Sequence, residues 1–218
     1  YHGGDGVDTM RVGDSFAGQQ LFNFGPADVS SIERIQFTSS TGQSIVGFRA
    51  DQLGGGFSNF THVIGSSTLS LVSIVATAPG SFSVAGWTFE NWSGAVLLDG
   101  SSGGDTITGS TQTDFISGHD GNDQLFGGFG AAGIDLMAGE FGNDTLRVRD
   151  TDPTPVAGDV FDGGADTDTL ALMTSEDVGF WDVRTATLFS IERIDYSPIA
   201  PGQVAWLQIA SGQIGGGQ

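Results

Sequence analysis

Aspartate recurs in phase through the middle of the chain. Between Gly100 and Ala171, seven nine-residue units place an aspartate at the sixth position and an apolar residue at the eighth. A carboxylate on a short arm is a hard oxygen ligand, and proteins bind Ca²⁺ with sets of such oxygens. The repeated carboxylate therefore indicates calcium binding. The aspartates are Asp105, Asp114, Asp123, Asp135, Asp144, Asp159 and Asp168, and the apolar residues are Ile107, Ile116, Leu125, Met137, Leu146, Phe161 and Leu170.

Glycines in the same units predict turns whose backbone can face a cation. Six of the seven units begin with glycine, and several repeat glycine at the fourth position. Glycine adopts positive φ without steric penalty and lets backbone carbonyls turn inward, where they can face a cation. We expect the sixth-position aspartate to bind the cation on one face and the eighth side chain to pack on the opposite face, inside the roll. A further aspartate, Asp8, belongs to a similar unit that begins at Gly3. The other predicted metal ligands are Gly103, Gly121, Asn122, Gly142 and Asn143.

Some units depart from this pattern, and we expect their turns to bind calcium weakly. Two insertions, Gly127 to Phe129 and Val148 to Pro153, are interpreted as loops that bulge from the coil, with a shifted register as the alternative for the first. Ordinary turn residues on an acidic surface would also explain aspartate-glycine clusters, but turn preference does not fix a spacing. The replacements are Gln112, Ala157 and Asp166 at the fourth position and Thr154 at the first.

The two most regular units carry a resemblance to a known family. Residues 118–126 (GHDGNDQLF) and 139–147 (GEFGNDTLR) fit the pattern G-G-x-G-x-D-x-U-x, with U apolar, except at the second position. This pattern resembles the RTX family, the haemolysin-type calcium-binding repeats of secreted bacterial proteins. The resemblance covers residues 100–171 strongly and the flanking segments weakly.

The resemblance implies an all-β fold, a right-handed parallel β-roll with two units in each coil and calcium between neighbouring turns. Four aspartates in one column and three in the other leave five gaps, so about five ions are the ceiling. The resemblance also implies type I secretion, with the chain unfolded in calcium-poor cytosol and folded outside the cell. One column would hold Asp105, Asp123, Asp144 and Asp168, and the other Asp114, Asp135 and Asp159.

The charge balance agrees with a cation-dependent fold. The chain has 26 acidic residues, 21 of them aspartate, against seven arginines and no lysine, which argues against nucleic acid as a partner. The segment from Asp99 to Asp168 has 14 acidic residues and two arginines, a net charge of −12. Such a segment repels itself, so we expect it to expand without calcium and to compact with it. Cysteine is absent, so no disulfide can stabilise the fold.

A longer repeat lies over the short one. The segment from Gly3 to Gly56 and the segment from Gly163 to Gly217 share the sequence SIERI and a glutamine before the final glycines, at an offset near 160 residues. The chain is therefore interpreted as part of a longer, modular protein. The predicted division is a β-rich segment with a leading turn (1–60), capping coils (61–99), the calcium-binding roll (100–171) and a second SIERI segment (172–218).

Other candidate sites have weaker support. The aromatic residues Trp87, Phe89 and Trp92 could form a sugar-stacking platform, but a hydrophobic cap on the roll is favoured because solenoids need covered ends. The repeated Glu33-Arg34 and Glu192-Arg193 pairs favour an ion pair bordering a strand over a catalytic carboxylate. No histidine-based metal motif or nucleophile elbow is present in the sequence.

The sequence therefore predicts a non-enzymatic calcium-binding module of a large secreted or cell-surface protein, with a structural or adhesive role. The alternatives are the noncatalytic C-terminal part of a secreted protease, lipase or polysaccharide-modifying enzyme, and a carbohydrate-binding module. Extracellular polysaccharide is a possible partner under the adhesive and carbohydrate-binding interpretations. The sequence contains no run of about 18 apolar residues, so it predicts no membrane-spanning helix.

Overall fold

The fold is a stack of short strands connected by turns. The computed structural model describes residues 2–13, 20–24, 29–40, 42–55, 62–128, 133–149, 158–173, 178–196 and 204–213. The strands are β1 (Thr9–Val12), β2 (Gln20–Asn23), β3 (Arg34–Phe37), β4 (Ser44–Arg49), β5 (His62–Ile64), β6 (Ser70–Val75), β7 (Ser81–Ser83), β8 (Thr88–Glu90), β9 (Ala95–Asp99), β10 (Thr106–Thr108), β11 (Thr113–Ser117), β12 (Gln124–Phe126), β13 (Leu136–Phe141), β14 (Thr145–Arg149), β15 (Val160–Ala165), β16 (Thr169–Met173), β17 (Val178–Asp182), β18 (Thr187–Phe189), β19 (Arg193–Asp195) and β20 (Val204–Gln208).

The strands form parallel sheets through which the chain winds as a β-solenoid. An eight-stranded sheet has the order β18-β15-β13-β11-β9-β6-β4-β2, and a six-stranded sheet has the order β19-β16-β14-β12-β10-β7. A four-stranded sheet, β1-β3-β5-β8, and the pair β17-β20 complete the described strands. Every pairing among them is parallel. The prediction of an all-β parallel roll is confirmed.

The apolar residue at the eighth position sets the register of the roll. In the six-stranded sheet Ile107, Leu125, Leu146 and Leu170 pair in sequence, and in the eight-stranded sheet Ile116, Met137 and Phe161 do the same. All seven side chains are at most 2% exposed. A one-residue slip would move them to the surface, so the apolar pattern specifies the pairing.

The two insertions lie at different places from those predicted. Gly127 follows β12 as Gly109 follows β10, and a Cβ on Gly127 would collide with the Asp135 carboxylate, so Gly127 is the first residue of that turn. The extra residues come after it, and Gly130 lies outside the described residues. Val148 and Arg149 extend β14 and pair with β16, so the second insertion begins after them. Thr154 and Ala157 also lie outside the described residues.

Helical structure in the described residues consists of two short turns, although the sequence predicts no helix. They are α1 (Gln52–Gly55) and the 3₁₀ turn Ser211–Gln213. Gln52 accepts a hydrogen bond from the Arg49 N–H at 2.7 Å, and Gln213 accepts one from the Ala210 N–H at 2.7 Å. Each glutamine also donates to a carbonyl oxygen of the preceding coil. The two copies of the longer repeat thus end in turns that make matching hydrogen bonds.

The aromatic residues before the roll pack into the core. Trp87 is 7% exposed, and Trp92 lies with its ring centroid 5.7 Å from that of Phe37 and 5.4 Å from that of Phe89. These contacts agree with the hydrophobic cap and leave no free ring face at Trp87 for a sugar.

The eight-stranded sheet crosses the predicted segment boundaries. It runs from β2 to β18 and so includes strands from all four predicted segments. The division into segments stays a prediction. The described part of the chain contains no helix with the length and apolar character that a bilayer crossing requires.

Candidate metal centre

The sixth-position aspartates stack in two columns, each tied to the coil before it. The Oδ1 atom of Asp123 accepts the backbone N–H of Asp105 at 2.7 Å, and Asp144 accepts that of Asp123 at 2.7 Å. The same bond joins Asp168 to the Asp144 N–H at 2.8 Å. In the second column Asp135 accepts from Asp114 and Asp159 accepts from Asp135. The structure therefore brings the predicted aspartates together as two ladders.

The carboxylates lie inside the turns rather than on an outer face. Six of the seven are buried, namely Asp105, Asp114, Asp123, Asp144, Asp159 and Asp168, while Asp135 is half-buried. The expectation that aspartate and the eighth apolar residue face opposite ways is wrong. Positions six and eight are two residues apart, and alternate residues of an extended chain share one face. The roll consequently encloses charge beside its apolar core.

The first glycine of each turn leaves space beside a carboxylate. A Cβ on Gly118 would lie within 3.0 Å of both Oδ2 of Asp123 and the carbonyl oxygen of Gly139 in the next coil. A Cβ on Gly139 would collide in the same way with Asp144 and with the carbonyl of Gly163. Each glycine thus lets one carboxylate oxygen and one backbone carbonyl oxygen approach the turn more closely than a side chain would allow.

Three turns leave one carboxylate oxygen in this space without a hydrogen-bond partner. The Oδ2 atoms of Asp123, Asp144 and Asp168 are buried and unpaired. At the second position of these turns, His119, Glu140 and Gly164 have positive φ angles of 69°, 77° and 102°. We call the turns at residues 118–123, 139–144 and 163–168 the open turns.

Three other turns satisfy the equivalent oxygen internally. Oδ2 of Asp105 accepts the Ser101 N–H at 2.6 Å and its hydroxyl at 2.9 Å. Oδ2 of Asp114 accepts the Ser110 N–H at 2.8 Å and its hydroxyl at 3.0 Å. We call the turns at residues 100–105, 109–114 and 3–8 the closed turns; in the last, the Gly4 N–H donates to Asp8 Oδ2 at 2.8 Å.

Comparison with known protein families agrees with this geometry. Residues 99–131 and 129–150 match the family model of the RTX calcium-binding nonapeptide repeat, in four copies. The chain carries RTX calcium-binding repeats. The match ends before Asp159 and Asp168, although the structure continues both columns through those residues. No curated protein sequence and no solved structure matches the chain.

The predicted glycine and asparagine ligands occupy the rims of the RTX turns. Gly121 and Gly142 have φ angles of 131° and 127°, the left-handed conformation that the sequence predicts for a fourth-position glycine. Gly103 does not have a positive φ. The side chain of Asn122 accepts the Asn143 N–H at 2.8 Å, and that of Asn143 accepts the Thr167 N–H at 3.0 Å. Their Oδ1 atoms therefore tie neighbouring coils together on the surface.

Burial raises the pKa of several of the enclosed carboxyl groups. It raises the pKa of Asp114 to about 7, against an opposing effect of the Ser110 hydrogen bonds. It raises the pKa values of Asp123 and Asp144 to about 6, and in each case the charge of the preceding aspartate in the column adds to the effect. Buried like charges stacked coil on coil favour either a proton or a cation between them.

A glutamate continues the column that ends at Asp168, and a second glutamate makes the same contact with Asp8. The sequence-based interpretation missed both. Oε2 of Glu192 accepts the Asp168 N–H at 2.8 Å, and Oε2 of Glu33 accepts the Asp8 N–H at 2.8 Å. The expected Glu192–Arg193 ion pair is wrong, because Arg193 pairs with Asp195 at 3.4 Å. The available signal was the spacing, since Glu192 precedes Ile194 by two residues and Ile194 pairs with Leu170 in β16.

The open turns offer oxygen atoms of the kind that binds calcium. Each holds a buried, unpaired carboxylate oxygen, and this oxygen and a backbone carbonyl oxygen of the following coil both lie close to the first glycine of the turn. Carboxylate oxygens and backbone carbonyl oxygens are both hard ligands of the kind that Ca²⁺ prefers. Among the described residues, no three His, Cys, Asp or Glu side chains form a group that could hold a metal. The oxygens identified around each open space are accordingly one carboxylate and backbone carbonyls.

Proposed function

We propose that this chain is a calcium-binding structural module of a secreted bacterial protein, whose solenoid is completed by calcium outside the cell. The observation that carries the proposal is the unpaired, buried Oδ2 atom in three consecutive RTX turns of one column. A buried charged oxygen without a partner is costly, and a divalent cation between coils removes that cost. Calcium would supply the positive charge, and the chain supplies oxygens already held in place by the ladder.

The overall charge supports a role for calcium in folding. The chain carries a net charge of −19 at pH 7. Ligands that bind only the folded state stabilise it by mass action, and each ion also reduces the repulsion between carboxylates. In calcium-poor cytosol the chain would stay expanded and competent for type I export, and it would fold where calcium is abundant. A surface or matrix location with a structural or adhesive role follows from the modular repeat.

Circular dichroism of the purified chain tests the proposal. In buffer stripped of calcium we expect a weak β signal, a gain of β signal on adding calcium, and its loss on adding chelator. Magnesium at the same concentration serves as the control, because Mg²⁺ requires a tighter octahedral site and gives up its water reluctantly. An unchanged spectrum with and without calcium, together with no calorimetric heat of binding, would contradict the proposed function.

A further inference from the structure

The open and closed turns differ in what satisfies the same carboxylate oxygen. In the closed turns the second residue donates its N–H to Oδ2, and Ser101 and Ser110 add their hydroxyls. In the open turns no hydrogen bond reaches Oδ2 of Asp123, Asp144 or Asp168. Asp105 and Asp114 are buried like the three aspartates of the open turns, so burial does not distinguish these two closed turns from the open ones. Asp8 is half-buried.

The backbone of the second residue explains the difference. His119, Glu140 and Gly164 have positive φ, whereas Gly4, Ser101 and Ser110 do not. The left-handed conformation accompanies the loss of the N–H bond to the carboxylate. For His119 and Glu140, which carry a Cβ, this conformation costs about 1–2 kcal/mol each. Two successive turns therefore carry strain and leave a buried oxygen unpaired, a combination typical of a site that awaits a ligand.

We infer that, of these six turns, calcium enters the three open ones, and that in the three closed turns hydrogen bonds from the second residue take the place of the cation. This inference rests on the proposed function and assigns which of the repeats perform it. A cation at Asp105 or Asp114 would have to displace N–H and O–H donors that already bond to the carboxylate oxygen. At the three open turns it meets an oxygen without a hydrogen-bond partner. Asp105, which the sequence places at the end of the calcium column, is thereby a structural residue.

The arrangement gives the solenoid a calcium-independent start and a calcium-dependent continuation. The closed turns at residues 100–105 and 109–114 follow the hydrophobic coil of β9, and the open turns begin with Gly118. The coils near β9 are thus held by apolar packing and serine hydrogen bonds, and the later coils add calcium to the same column. The inference concerns these six turns and does not extend to those of Asp135 and Asp159.

Calorimetric calcium titration of the full chain and two matched variants tests the inference. Asp144→Asn and Asp105→Asn make the same chemical change in one column, one in an open turn and one in a closed turn. We expect Asp144→Asn to remove at least one bound ion or to weaken binding about tenfold or more. Asp105→Asn should keep the number of ions and their affinities within about twofold of the unchanged chain.

The outcomes separate this inference from the proposed function. If the unchanged chain binds no calcium, both fail. If it binds calcium and Asp105→Asn loses as many ions as Asp144→Asn, the proposed function stands and the division into open and closed turns is wrong. Should Asp105→Asn fail to fold, Asp114→Asn decides the question, because it makes the same change in another closed turn. An unchanged ion count supports the inference, and a reduced count overturns it.

Discussion

The glycine that begins each turn is required by the space beside the carboxylate. Neither Gly118 nor Gly139 has a positive φ, so neither position needs glycine for backbone rotation. A Cβ on Gly118 would instead enter the space between Oδ2 of Asp123 and the carbonyl oxygen of Gly139. The first glycine therefore acts through volume, whereas the fourth-position glycines Gly121 and Gly142 act through positive φ.

Gly118→Ala should consequently impair both packing and calcium binding. We expect a loss of about 1–3 kcal/mol in the free energy of unfolding with calcium present, because the methyl group would overlap the Asp123 carboxylate. We also expect weaker calcium binding, since the methyl group fills the space beside Asp123. Urea unfolding and calorimetric titration measure the two effects.

Gly86→Ala is the matched control for this prediction. A Cβ on Gly86 meets nothing within 4 Å, and its φ is not positive. It should leave calcium binding unchanged and alter the free energy of unfolding by no more than about 0.5 kcal/mol. Equal effects of the two substitutions would contradict the volume explanation.

At the scale of whole elements, a shortened turn continues the column with a longer side chain. The six residues from Gly163 to Asp168 are replaced in the next coil by three, from Ser190 to Glu192, with Ser190 at a φ of 49°. The extra methylene of glutamate lets its carboxylate reach the Asp168 N–H from the shorter turn. The same turn occurs at Ser31, with a φ of 54°, and Glu33.

Glu192→Asp and Glu192→Gln should therefore have different effects. The shorter aspartate cannot reach the Asp168 N–H, and we expect a loss of about 1–3 kcal/mol, the range for a hydrogen bond to a charged group. Glutamine keeps an acceptor oxygen at full reach and removes a negative charge that helps to raise the pKa of Asp168. Glu192→Gln should be nearly neutral in urea unfolding with calcium present. A larger loss than for Glu192→Asp would refute the role of side-chain length.

The sequence predicts the two aspartate columns because their period is regular. The prediction fails where a residue of another type takes the same place or makes the same contact. Asp105, Asp123, Asp144 and Asp168 stack as their spacing predicts. The insertion after β12 was misplaced, since Gly127 and Gly130 both suit a first position and only the contact between coils distinguishes them. Ser101 and Ser110 were missed, although serine four residues before aspartate is a recognisable signal for local hydrogen bonding.

For the molecule as a whole, enclosed carboxylates link stability to pH. Burial raises the pKa values of Asp114, Asp123 and Asp144 to about 7, 6 and 6, above the value of about 3.9 expected for an unfolded chain. The folded, calcium-free chain therefore binds more protons than the unfolded chain between about pH 4 and 7. The stability that these three groups contribute is fully present below about pH 4 and is lost as the pH rises through about 6 to 7.

Calcium should reverse this dependence. Metal binding requires deprotonated carboxylates, so protons compete with calcium and the calcium-loaded chain should lose stability as the pH falls. We expect circular dichroism in calcium-stripped buffer to show more β signal at pH 5 than at pH 8, and urea unfolding in saturating calcium to show a chain that is less stable at pH 5 than at pH 8. Asp114→Asn supplies the control, because it removes from a closed turn the group with a pKa of about 7. It should flatten the pH dependence of the calcium-free chain between pH 6 and 7. It should leave the order of stability at the two pH values unchanged in saturating calcium. Parallel pH dependences with and without calcium would show that protons and calcium do not compete for these carboxylates.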